Sequence, residues 1–268
     1  MNNIFDFKRF GNYFAYDIRR SANNYGINLL VLGLMPVILY ILHILVATVS
    51  GKQPLPIASE SKFILFGIIV FVTAVSCGVK IYGNITDKRS GSDFLMLPAS
   101  TLEKWISMVL IVCVLVPVAL IALSVASDSL LSWIVPASYG EGAITSICNE
   151  TISISRHDEF FLNLPAILFL GWCGCALTFT LGALYFKKAK VAKTFLCLFL
   201  LSAAVSLIAF VLAGNLEIGS EQLAKVFDNV NDPQSAISAT NWLLNIYFII
   251  TRGALLVLIW LRLRTIKH

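Results

Sequence analysis

Arg252 stands about ten residues into an apolar stretch that runs from Trp242 to Leu261 near the end of this 268-residue chain. A guanidinium facing lipid costs several kcal/mol, so it must turn toward protein, a water-filled passage or an anionic ligand. No acidic residue lies at similar depth, which leaves carbonyls, Asn245, Thr251 or a bound anion as partners. A helix-tying or snorkelling arginine and an arginine on a pathway are equally open readings. His43, beside the kink position Pro36 in the first apolar stretch, reads first as a hydrogen-bonded packing residue and second as a proton carrier. His157, Asp158 and Glu159 have the types for metal or acid/base work, but a solvated charged loop is the simpler account. Cys173 and Cys175 flank Gly174 with no His or Asp nearby, a pattern of small packing residues rather than ligands.

Other chemistry is missing from the chain. It contains no Gly-x-x-x-x-Gly-Lys-Ser/Thr phosphate loop, no His-Glu-x-x-His helix and no Gly-x-Ser-x-Gly elbow, and no carboxylate falls inside an expected span. The expectation is a protein that is not an enzyme and carries neither cofactor nor metal. Net charge +5 is distributed as a membrane-topology signal and does not point to nucleic acid.

The elements that must position these residues are set by composition. Apolar residues make up 58% and charged residues 13%, against about a quarter charged in soluble domains. A helix needs roughly 20 apolar residues to cross the ~30 Å hydrocarbon core. Stretches at 27–49, 63–82, 105–126, 161–186, 194–213 and 242–261 meet that requirement. The expected fold is therefore an all-α membrane protein of about six transmembrane helices, a single membrane domain over 1–268, with lipid as its principal partner. Fifteen of the 20 basic residues fall in the termini and alternate connectors, and ten of the 15 acidic residues in the opposite set. Because positive charge stays inside, both termini are expected in the cytoplasm. Leu130 to Val135 could extend the third span.

Before the first span, residues 1–26 interleave Phe5, Phe7, Phe10 and Phe14 with Lys8, Arg9, Asp17, Arg19 and Arg20, the pattern of an interfacial amphipathic helix. Between spans two and three, turn formers precede Leu97-Pro98-Ala99-Ser100, and Ser100 with Glu103 is a capping box that starts a helix ahead of Trp105. An external helix is expected around Leu216 to Val230. Small residues every fourth position, Gly174, Thr178 and Gly182 in span four, Ala74 and Gly78 in span two, allow close helix approach.

This layout, with Leu97-Pro98-Ala99-Ser100 followed by Glu103-Lys104, resembles the type-2 permeases of ATP-binding-cassette transporters, in a small Bacteroides-type bacterial form. The resemblance implies a permease subunit of an exporter-type system in the bacterial inner membrane. It implies a separate ATPase docked near Leu97, Pro98, Ala99, Ser100, Glu103 and Lys104, and a second permease half making a homo- or heterodimer. The alternative is a non-transporting membrane scaffold or accessory subunit.

Overall fold

The computed structural model describes residues 5–51, 57–86, 91, 94, 96–140, 142, 164–215 and 233–265. The expected external helix, Cys148 and the His157-Asp158-Glu159 cluster lie outside these. Among the described residues the secondary structure is helical throughout: α1 Phe7–Gly33, α2 Met35–Val49, α3 Ser59–Tyr82 with a 3-10 turn Gly83–Thr86, α4 Thr101–Ile134, a short α5 Pro136–Tyr139, α6 Leu164–Tyr185, α7 Lys190–Asn215 and α8 Pro233–Thr265. Five helices are long and apolar enough to cross a bilayer, and the bent pair α1–α2 makes a sixth. The all-α membrane architecture is thus present.

Each expected span has its helix, but boundaries differ. The N-terminal amphipathic segment and the first half of span one form a single helix, α1. The break falls at Leu34, where the axis turns by 45° and Pro36 sits in the first turn of α2. A proline is tolerated there because first-turn amides have no helical partner. Asp6 caps α1, its carboxylate accepting from the Lys8 amide at 2.9 Å.

The helix of the third span runs on to Ile134, eight residues beyond the expected end, and so takes in an acidic residue. Asp128 is inside α4, and Asp17 is inside α1; both are buried. A helix in lipid does not stop where apolarity stops, because packed neighbours supply partners for polar side chains.

α4 contains a π-turn at Ile111–Leu115, and the sequence explains it. Pro117 has no N–H, and its ring would press on the carbonyl four residues back. The widened turn relieves that contact, with the Val116 amide bonding the Ile111 carbonyl. Val112's carbonyl then loses its donor, since Val116 has moved on and Pro117 has none to give. The Trp172 indole of α6 fills the place, donating to the Val112 oxygen at 3.2 Å in a fully buried setting. Trp172→Phe is expected to lose about 1–3 kcal/mol, the cost of an orphaned buried acceptor. In a Pro117→Ala background, where a backbone donor returns, the same change should cost less than half as much. Reversible unfolding in detergent of the four proteins checks this; equal costs in both backgrounds reject it.

The core gathers where α1, α3, α4, α6 and the end of α8 meet, around Tyr82, Ile85, Met108, Val112 and Leu184. Glycine sets the tightest approach: a Cβ on Gly78 would collide with the Thr180 hydroxyl and lie 2.9 Å from the Thr180 Cα. α1 runs alongside α4, Asp17 meeting Ser107 and Gly33 meeting Ser127, and opposite to α3, with Tyr25 meeting Ser76 and Asp17 meeting Tyr82. α8 runs with α6. The starts of α1 and α4 and the ends of α3, α6 and α8 therefore share one end of the bundle, where the basic residues collect. The spans of α7 and α8 are the least covered, almost none of either being buried, and on α7 Phe199 and Phe210 are more than 70% exposed. A helix apolar all round takes lipid or another membrane protein as its surroundings.

Candidate functional site

At the basic end, the segment before α4 is fastened to the start of α1. Glu103 is fully buried, and its carboxylate collects three donor groups. The Arg9 guanidinium approaches at 2.7 to 3.1 Å through two nitrogens, the Ser100 amide at 2.9 Å and the Asp6 amide at 3.0 Å. In return the Ser100 hydroxyl accepts from the Glu103 amide at 3.2 Å, completing the capping box. One carboxylate thus joins two helix N-termini, where negative charge is favoured. Lys104 also turns inward, donating to the Phe94 carbonyl at 2.6 Å with its ammonium over the Phe94 ring.

Of the six residues expected at a partner contact, Glu103 and Lys104 build the support from within. Leu97, Pro98 and Ala99 line a groove of about 480 Å³ against Arg9, Asn12 and Tyr16. Met96 just ahead of them is 81% exposed. The result is a braced turn that presents an apolar tip.

One turn further in lies a buried polar knot that sequence reading missed. Asp17 accepts hydrogen bonds from Ser107 at 2.6 Å and Tyr82 at 3.0 Å, joining α1, α4 and α3. Tyr13, Asp17, Ser21 and Tyr25 are all buried at every fourth position of α1. That spacing was available as a signal. The aromatic and basic residues between them drew the interfacial reading, and the polar stripe faces the bundle.

Arg252 reaches from α8 to α6. Its guanidinium donates to the Leu170 carbonyl at 3.0 Å and to the Thr251 hydroxyl at 3.2 Å, and stacks 5.2 Å over Phe248. It crosses α6 where Gly174 has no side chain; any Cβ there would strike the guanidinium. Arg262 repeats the device on the Leu184 carbonyl at 3.1 Å. Both arginines tie α8 to α6.

His43 lies elsewhere, half-buried in a cleft at the opposite end among α2, α3, α4 and α5. Here Lys62 donates to the Tyr139 carbonyl at 2.6 Å and sits 3.7 Å over the Tyr139 ring. The Tyr139 hydroxyl donates to Asp128 at 2.6 Å. Tyr40 packs edge-on against Tyr139 and shares a 2.6 Å hydrogen bond with Ser138. Burial, reinforced by the Asp128 carboxylate, raises the Tyr139 phenol above its ordinary pKa, so it stays a donor. His43 and Arg252 are thus in separate settings. Among the described residues no cluster of His, Cys, Asp or Glu has metal-binding geometry.

The chain was compared with protein-family models, curated proteins and solved structures, and none matches. The multi-pass helical membrane architecture is therefore defined by the chain's own features.

Proposed function

We propose that this protein is the membrane-spanning subunit of an ATP-driven permease, with the 96–100 turn as the contact for a separate ATPase. The carrying observation is the braced turn: Glu103 and Lys104 hold it rigidly from inside while Met96 and Pro98 face outward. A coupling element needs both properties. It must present an apolar contact to its partner, and it must pass displacement into helices; here Glu103 links the turn to both α1 and α4. The gathering of basic residues at this end supports a cytoplasmic placement of the turn and both termini in a bacterial inner membrane. The resemblance of Leu97-Pro98-Ala99-Ser100 and Glu103-Lys104 to type-2 permeases supports the same reading. It also suggests pairing with a second permease half, for which uncovered α7 offers an apolar face.

Capture of the tagged chain from native membranes tests the proposal. A stoichiometric phosphate-loop ATPase is expected, and Met96→Asp should reduce its recovery at least tenfold while membrane insertion and elution profile stay unchanged. Undiminished ATPase recovery would reject the docking turn. A stoichiometric partner lacking ATPase motifs would favour the scaffold alternative.

A further inference from the structure

The cleft at the end opposite the braced turn has a volume of about 600 Å³, within the range of ligand sites. Its lining is ordered by depth. Lys62, His43, Asp128 and Tyr139 lie toward the end of the bundle. Ile68 and Ile69, six and seven residues along α3 from Lys62, lie about 10 Å deeper. One turn deeper along α4 than Asp128, the Ser124 side chain also lines the cleft. It is fully buried, yet its Oγ has no hydrogen-bond partner among the described residues. A hydroxyl in that position calls for an acceptor or donor from a bound molecule. On the outward side, Ile64 and Ile68 are 67% and 54% exposed, so the cleft opens sideways to the surroundings of the helices.

From this order we infer that the cleft holds one glycerolipid of the surrounding bilayer, entering between α2 and α3. The headgroup lies by Lys62 and His43, an ester carbonyl accepts from the Ser124 hydroxyl, and the acyl chain lies along Ile64, Leu65 and Ile68. A plain hydrocarbon would leave the Ser124 hydroxyl unanswered, and a water-soluble solute would leave the apolar wall uncovered. A glycerolipid supplies charge, carbonyl and chain in the sequence and direction in which the cleft presents their complements. The inference rests on the membrane-spanning architecture and is independent of any ATPase.

Its test uses the full-length chain reconstituted in phosphatidylethanolamine liposomes containing phosphatidylglycerol with a diazirine on one acyl chain. After irradiation, adducts are mapped by mass spectrometry. Labelling per residue at Leu39, Leu65 and Ile68 should exceed that on the uncovered 198–208 face of α7 at least fivefold. Ser124→Ala should lower cleft labelling about fivefold, the loss of one hydrogen bond, and leave α7 labelling unchanged. Ile68→Trp, which fills the cleft from an exposed position, should lower it at least as far. Equal labelling of cleft and α7 would mean bulk lipid only and would overturn the inference. So would a cleft that takes no label, as when another part of the chain fills it, or labelling unaffected by Ser124→Ala and Ile68→Trp.

Discussion

Glu103→Ala is expected to be the most damaging single change at the basic end, lowering unfolding stability by about 2–4 kcal/mol. The reason is that one buried carboxylate serves three positions. It accepts from Arg9, from the Ser100 amide that opens α4 and from the Asp6 amide at the cap of α1. Removing it leaves two part-buried backbone donors and a guanidinium unanswered together, so the costs do not divide into small independent parts. Arg9→Ala should cost far less, because Arg9 is 38% exposed and the carboxylate keeps its two amides. Glu103→Gln should fall between, since it can still accept but carries no charge. Unfolding in detergent, with limited proteolysis between Thr86 and Thr101 as a local readout, measures all three. If Arg9→Ala proves as costly as Glu103→Ala, the ion pair rather than the bridge between helix starts is the dominant contact, and this account fails.

The second large effect is expected at Gly78. Gly78→Leu should cost at least 3 kcal/mol, more than common overpacking, because the obstruction is partly backbone. A new Cβ meets the Thr180 hydroxyl, which a side chain change can remove, and also the Thr180 Cα at 2.9 Å, which it cannot. Thr180→Gly combined with Gly78→Ala should therefore recover only part of the loss. Gly67→Ala and Gly171→Ala provide the contrast: neither Cβ would have a neighbour within 4 Å, and alanine favours the helix by about 1 kcal/mol. Both should be neutral or stabilising in the same unfolding measurement. Loss at Gly67 as large as that at Gly78 would show that helix propensity, and not the α3–α6 approach, governs these positions.

The capping box at Ser100 and Glu103, the bend near Pro36, the small-residue seam of α6 and the helices themselves were legible because each depends on neighbours within a few residues or on one-dimensional apolarity. The candidate contact turn was legible for the same reason. The roles of its members were not: Glu103 is caught by Arg9, 94 residues away, and Lys104 by the carbonyl of Phe94. The buried stripe of Tyr13, Asp17, Ser21 and Tyr25 within the N-terminal amphipathic segment was not legible, because the same spacing suits a water-facing stripe and a stripe buried against polar neighbours. Only Tyr82 and Ser107, brought from α3 and α4, distinguish the two.

By itself the sequence determined that this chain crosses a bilayer as helices and that its basic segments gather at one end, since hydrophobic transfer and charge act residue by residue along the chain. The tertiary structure alone decided that Arg252 ties α8 to α6, that Asp128 and Lys62 share a cleft with His43, and that Trp172 completes the π-turn made by Pro117. Those outcomes depend on which distant carbonyl, ring or carboxylate arrives beside each group, and in lipid a polar group is governed by the partner it meets.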